Sequence, residues 1–334
     1  MIAPDRPGQH NDLPGSEAGS ARFVPTPGPI SIEPFHNELF VDAVREAGGS
    51  VIPLSSDTRG IVWLSEKDAT DLSAILADNP QIEWVQLPWA GVDGFADLFA
   101  SIDHESAPVF TSAKGSYAEP VAEHALTLML SLAREIPRKS REKGWQAART
   151  GLSLYGNNVV IIGAGGITAE LMRLLEPFRT NVTVVRRQDR AVPGAARTVT
   201  SDLLHDVLPA ADVVVLAAAA TEETAHLIGE TELALLPHHA IIVNVARGSL
   251  LDDTAARASL REGRLWGIGL DVTDPEPLPT DHPLWDEPNC IITSHSADTP
   301  LMTKHLLATR IRTNVTAFLA GTNLLGVVDT RSGY

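Results

Sequence analysis

Between residues 23 and 111, short apolar runs alternate with amphipathic stretches. The runs at 22–24, 50–53, 60–64, 84–86 and 108–111 predict strands, and the stretches around 34–47 and 68–78 predict helices between them. This alternation implies a parallel sheet with helices on its faces. A long helix is expected from Pro120, since proline at the first helical position lacks only an N–H that would be unpaired there. Residues 121–133 are apolar nearly all round, apart from Glu123, His124 and a few hydroxyls. Such a helix belongs at a domain junction or a subunit interface. A second alternation begins at Asn158, with strands predicted at 159–162, 182–185, 213–217, 241–245, 267–271 and 290–293. Six strands of this type suit a doubly wound dinucleotide-binding sheet. A last helix is bracketed by Thr299 as cap, Pro300 as first residue and Gly321 as stop. It has no following sheet to join and is expected to pack back across the domain boundary.

At 334 residues the chain holds two medium domains or one large one. A formal charge of −16 disfavours non-specific binding to nucleic acid or an anionic membrane. An anionic substrate therefore needs a local positive site. The single cysteine, Cys290, excludes an internal disulfide and a cysteine-based metal cluster, and within Cys290-Ile-Ile it reads as a buried strand residue. The longest apolar runs, such as 211–220, fall short of the roughly 20 residues of a membrane helix. Residues 1–21, rich in Pro, Gly, Ser and Asp, read as a disordered extension and not a signal peptide. A reducing cytoplasm is the consistent compartment. His238, His239 and His282 read as loop or helix-start residues, and no metal site is expected.

The segment Val159-Val-Ile-Ile-Gly163-Ala-Gly165-Gly166-Ile167-Thr168 reads as strand, tight turn and helix start. Gly163 permits the turn, Gly165 lets a pyrophosphate approach the backbone, and the helix N-terminus offers free N–H groups. Thr168 replaces the usual third glycine and is expected to loosen helix–strand packing. The next strand ends in Arg186 and Arg187, where an acidic residue ordinarily binds the ribose. A guanidinium pairs with a 2′-phosphate, which favours NADP over NAD. Alternatively the arginines are solvated and Asp189 binds the ribose of NAD.

Three further residues each have an ordinary reading: Arg247 as a surface ion-pair partner, Glu276 as a loop carboxylate, His295 as a structural histidine. Jointly they differ, because each follows a predicted strand of one doubly wound sheet, at the carboxyl end where ligands bind. Reducing a 2-keto acid needs a hydride and a proton. A histidine gives the proton near neutral pH, a carboxylate beside it favours its charged form, and an arginine holds the substrate carboxylate.

Together with Val121-Ala-Glu-His124, Asn244-Val-Ala-Arg247-Gly248, Leu270-Asp-Val272 and Glu276-Pro-Leu278, these features resemble the D-isomer-specific 2-hydroxyacid dehydrogenase family over roughly 23–325. The resemblance implies an α/β protein of two Rossmann-like domains, both doubly wound parallel sheets, with the active site in the cleft between them. Residues 22–118 plus 299–334 would form the substrate domain, and 119–298 the dinucleotide-binding domain. It implies Arg247 for substrate binding and activation, His295 as acid/base and Glu276 as its partner. Asp271 would contact the nicotinamide carboxamide, Val245 and Ala246 would border the nicotinamide, and Gly166 and Ile167 would lie along the pyrophosphate. Ala90, Gly91 and Val92 would hold the substrate carboxylate, and Trp89 is either a pocket wall or a core residue. Members usually form homodimers through the cofactor domain. The arginines at 186 and 187 resemble those of the NADP-using branch that reduces glyoxylate and hydroxypyruvate. Ser294 departs from the usual proline, and Ala297-Asp298 from a glycine-rich turn.

Two other functions remain at this point. One is a non-catalytic dinucleotide sensor on the same fold, since fold alone does not define activity. The other is a formate- or phosphite-oxidising enzyme, against which Glu276 stands, because the formate type usually carries glutamine there.

Overall fold

The computed structural model describes residues 23–65, 69–145 and 147–331, and the extension expected at 1–21 lies outside them. The chain divides into two compact units, one holding the residues up to Tyr117 together with those from Pro300 onward, the other Ala118–Thr299.

The first unit is built on a parallel sheet of β1 (Ile30–Glu33), β2 (Gly60–Trp63), β3 (Trp84–Gln86) and β4 (Val109–Thr111), paired in that order. Helices α1 (Glu38–Glu46), α2 (Ala69–Asp78) and α3 (Ala96–Ser101) connect them. The strand expected at 22–24 is displaced to β1. Phe23 and Val24 are exposed and precede Pro25, Pro27 and Pro29, which have no N–H for a ladder. The run at 50–53 contributes only a bridge, from Val51 to Ile30, flanked by Ile30 N–H to Ser50 O at 2.8 Å and Ile52 N–H to Ile30 O at 3.0 Å. That bridge lies on the free edge of β1. Counting it, the sheet order reverses at β1, which is the doubly wound, flavodoxin-type arrangement. Helix α1 begins at Glu38 and not near Pro34, because the Asn37 side chain accepts from Leu39 N–H at 3.1 Å and caps it there. Alternate strand residues feed two cores. Ile30, Ile32, Val62 and Trp84 pack on the α1 side, while Ile61, Trp63, Val85 and Phe110 pack against Leu72 of α2 and Phe99 of α3. Burial on both faces is the reason most positions of these strands are apolar, Ser31, Glu33, Gln86 and Thr111 being the polar ones.

The second unit begins with α4 (Ala118–Ala133) and α5 (Ile136–Lys139). There follow β5 (Asn158–Ile162), α6 (Gly166–Leu175), β6 (Asn181–Arg186), β7 (Arg197–Thr200), α7 (Leu204–Val207) and β8 (Val213–Leu216). Then come α8 (Glu230–Leu235), β9 (Ile241–Asn244), α9 (Asp253–Arg261), β10 (Gly267–Leu270) and β11 (Cys290–Ile292). The seven-stranded sheet runs β11-β10-β9-β8-β5-β6-β7, all parallel. One strand, β7, is additional to the six expected. It is the outermost, and of its residues only Val199 is buried, so it carries no apolar run to reveal it. Strand order reverses between β5 and β8, which makes that point the natural ligand position. Helix α4 lies close over β10: a Cβ on Gly267 would stand 2.9 Å from Leu132 Cδ2, and one on Gly269 3.1 Å from Leu128 Cβ. Small residues on β10 thus admit the helix that carries His124.

Helix α10 (Pro300–Ala320) packs beside α1 on the first unit's sheet, and Gly321, with φ 63°, ends it. Buried Asn314 donates to Gln86 Oε1 at 2.7 Å and to Leu325 O at 3.0 Å, and accepts from Leu325 N–H at 2.8 Å. This network ties the helix and the segment after it to β3. Among the described residues no helix is long and apolar enough to cross a membrane.

Candidate active site

All strands of the second sheet are parallel, so their carboxyl ends share one edge. Along that edge stand Arg186 at the end of β6, Gly163 after β5, Val245 to Arg247 after β9, Asp271 after β10 and His295 after β11. Arg186 and His295 are separated by five strand spacings, about 24 Å. They are therefore not one cluster but opposite ends of one row.

Gly163, φ 117°, sits at the reversal point, where a Cβ would come within 2.3 Å of Ala217 O. A side chain is excluded there on both conformational and steric grounds. At Gly165 a Cβ would meet nothing within 4 Å, so its backbone faces open space beside the first turn of α6. Gly166 and Ile167 begin that helix, where N–H groups have no intrahelical partner. An exposed backbone and a ring of free donors fit a pyrophosphate. Thr168 does not loosen the packing as expected. It is buried, and its hydroxyl donates to Gly163 O at 2.9 Å, pinning the helix to the turn in place of a third glycine. Arg186 folds over its own loop, donating to Arg190 O at 3.2 Å and reaching Gln188 Oε1 at 3.5 Å, while Arg187 and Asp189 are exposed.

Asn244 shapes the turn that presents Arg247. It is fully buried, its Oδ1 accepts from Ala246 N–H at 3.1 Å and its Nδ2 donates to Arg247 O at 2.8 Å. The Arg247 guanidinium donates to Ala246 O at 2.7 Å. Val245 and Ala246 are buried. At Gly248 a Cβ would lie 2.0 Å from the Thr273 carbonyl carbon and oxygen, and 2.5 Å from Asp274 N. The Arg247 turn is therefore in direct backbone contact with the chain that leads to Glu276. Sequence reasoning assigned no role to Asn244, although an asparagine ending the apolar run Ile241-Ile-Val was the available signal.

His295 and Glu276 meet: His295 Nδ1 lies 2.6 Å from Glu276 Oε1. An ionised carboxylate only accepts, so Nδ1 carries the hydrogen and Nε2 is the atom available to a substrate. Both side chains are a little under half exposed, at 45% and 42%, so the directional hydrogen bond matters more than long-range attraction. His295 has φ 47°, a left-handed conformation that costs a non-glycine residue on the order of 1–3 kcal/mol. Its N–H donates to Asp271 O at 2.8 Å. Asp271 Oδ1 accepts from Thr293 Oγ1 at 2.6 Å and Ser296 N–H at 2.9 Å, and Oδ2 from Ala297 N–H at 3.1 Å. Asp271 thus builds the histidine's turn where the family pattern has proline and glycines. His124 Nε2 also stands 3.4 Å from Oδ1, so the carboxylate is surrounded by donors inside the protein. Burial pushes this carboxyl up, but hydrogen bonds from His124, Thr293, Ser296 and Ala297 outweigh it and hold the group below the ordinary aspartate range. Neighbouring Asp298 is pushed up by burial. Cys290 on β11 is likewise raised, to about 12, by burial and then by Asp253 and Glu287, so its thiol is unreactive.

Trp89, Ala90, Gly91 and Val92 lie in the first unit, in the loop after the carboxyl end of β3. Val92 is buried, Ala90 exposed, and Trp89 half-buried in the core with an edge-on contact to Tyr117 at 6.4 Å. Of the two readings of Trp89, this packing favours the core.

A reversing parallel sheet, a glycine turn open to a ligand and a polar row along the carboxyl edge define a dinucleotide-binding α/β protein. Residues 126–297 match the family model described as D-isomer specific 2-hydroxyacid dehydrogenase, NAD binding domain. The chain belongs to the D-isomer specific 2-hydroxyacid dehydrogenase family, NAD(P)-dependent enzymes acting on CH–OH donors. It is 34% identical over 263 residues to the uncharacterized protein in the proB 3′ region of Corynebacterium melassecola, covering 77% of this chain and 86% of that one. It is 33% identical over 222 residues to the glyoxylate reductase of Korarchaeum cryptofilum, covering 63% of this chain and 66% of that one. Among solved structures, the D-isomer specific 2-hydroxyacid dehydrogenase from Xanthobacter autotrophicus Py2, in complex with NADPH and MES, superposes with a TM-score of 0.76 at 26% identity, covering 92% of this chain and 99% of that one.

Proposed function

We propose that this protein reduces a small 2-keto acid to its D-2-hydroxy acid with NADPH, His295 giving the proton and Arg247 holding the substrate. The observation that carries the reading is the 2.6 Å contact between His295 Nδ1 and Glu276. It directs the ring so that Nε2 faces the reacting oxygen. The dinucleotide, when bound, supplies the hydride to the keto carbon. Protonated His295 passes its Nε2 proton to the oxygen that becomes the hydroxyl, while Glu276 holds the ring by Nδ1. Arg247, rigidly turned by Asn244, pairs with the substrate carboxylate and polarises the keto oxygen. In the same reading Ala90, Gly91 and Val92, in the first unit, form a substrate-binding loop. Gly163, Gly165, Gly166 and Ile167 receive the pyrophosphate, Val245 and Ala246 border the nicotinamide, and Asp271 meets its carboxamide. Arg186 and Arg187 face the 2′-phosphate, which supports NADP over NAD, as does NADPH in the Xanthobacter relative.

The test is NADPH oxidation with glyoxylate, hydroxypyruvate and a wider keto-acid panel, repeated with NADH. Turnover with NADPH at a higher kcat/KM than with NADH is expected. Silence with both cofactors removes the enzymatic reading, and a preference for NADH removes the role of the two arginines.

The protein also forms a homodimer through its second unit in this proposal. Trp145 is fully exposed, and Ile136 and Tyr155 are about half exposed, in the segment following α4. Large aromatics are enriched at interfaces and rarely left bare. Sedimentation velocity should give a species of twice the chain mass, and Trp145→Glu should weaken it. A monomer at micromolar concentration would refute this assembly.

A further inference from the structure

We propose that His124 on α4 is a positioning residue for the reaction, holding the His295 turn through Thr293 and Asp271. The inference rests on the reading of His295 as proton donor. His124 Nε2 lies 2.9 Å from Thr293 Oγ1 and 3.4 Å from Asp271 Oδ1. The Thr293 hydroxyl has one hydrogen, which it gives to Asp271 Oδ1 at 2.6 Å. It must therefore accept from His124, so Nε2 carries a hydrogen and the hydrogen bonds run from His124 through Thr293 to the accepting Asp271 carboxylate. Hydrogen bonds in series polarise one another, which strengthens the hold on the carboxylate.

That carboxylate is the organiser of the turn. It accepts from Ser296 and Ala297 N–H, and the Asp271 carbonyl accepts from His295 N–H. His295 N–H also donates to Thr293 O at 3.0 Å, so Asp271 and Thr293 together hold the turn, and His124 reaches both from a different element. The ring is only about one-fifth exposed, and α4 approaches β10 closely because glycines stand at 267 and 269. A histidine on α4 therefore reaches across to the end of β11, where helix packing and catalytic geometry become linked.

The test compares His124→Ala, His124→Gln and His295→Ala with the wild-type protein, using NADPH and glyoxylate, and follows hydrogen exchange of the amides at 293–297. Glutamine places an amide N–H where Nε2 stands and retains the donor; alanine does not. In His124→Ala, kcat should fall roughly 10- to 100-fold, the loss expected when a reacting group is misplaced by about 1 Å. KM for glyoxylate should change little, and exchange at 293–297 should quicken. His124→Gln should recover most of the rate and the protection. Unchanged exchange in His124→Ala, or a glutamine variant as impaired as the alanine one, overturns the proposal. If His295→Ala retains wild-type turnover, the reading of the acid fails instead, and the exchange measurement still decides whether His124 holds the turn.

Discussion

Replacing His295 with alanine should lower kcat by about 10²–10⁴-fold, the usual contribution of a positioned general acid. The reason is local. Its Nδ1 is engaged by Glu276 at 2.6 Å, so the side chain offers its other nitrogen as a directed donor. Dinucleotide binding should persist, because the glycine turn and the arginines after β6 lie strands away along the sheet edge. A thermal-shift titration with NADPH checks that point, since a ligand bound to the native state raises the melting temperature. Glu276→Gln keeps an oxygen able to accept from Nδ1, so it should cost less than Glu276→Ala, which leaves the ring unheld. Wild-type turnover in His295→Ala would end the assignment of the acid.

The second large effect is expected at Gly248. A Cβ there would lie 2.0 Å from the Thr273 carbonyl, against backbone that has no rotamer to change. Either the Arg247 turn or the chain before Glu276 must move. Gly248→Ala should therefore cost roughly 3 kcal/mol or more of stability, at the upper end for overpacking. The surviving folded protein should lose about 10²-fold or more in kcat/KM, because Arg247 and Glu276 no longer keep their relative positions. Calorimetry and steady-state kinetics read the two effects separately. An alanine variant with native melting temperature and native kinetics would show that the contact is not tight.

Most of the second unit was legible because its strands are buried on both faces. Val159 to Ile162, Val213 to Leu216 and Ile241 to Val243 are near-continuous apolar runs, each followed by a turn. Such runs announce themselves without any partner in view. Strands with one buried residue, or with prolines beside them, do not. Arg197-Thr-Val-Thr200 was missed for the first reason, and Ile30-Ser-Ile-Glu33 was misplaced to 22–24 for the second.

Site residues divide in the same way. Gly163, Arg247, Glu276 and His295 are identifiable from the sequence because chemistry requires those types after strands in that order. Asn244 acts within its own turn, whereas Gly248, Thr293 and His124 act through contacts between distant segments. The hydroxyl of Thr293 meets a ring 169 positions away. Nothing local marks such a pair. Thr168 is the converse case: the sequence read it as a defect, and only its hydrogen bond to Gly163 made it a fastening.

The sequence alone determined the class of sheet, the glycine turn and the types of group along its edge, since burial pattern and turn chemistry are local properties. The tertiary structure decided which of those groups meet: His295 with Glu276, the Arg247 turn with the Thr273 backbone, and His124 with Thr293 and Asp271. Those pairings depend on strand order and on how closely a helix approaches a sheet, and neither quantity is carried by any short stretch of chain.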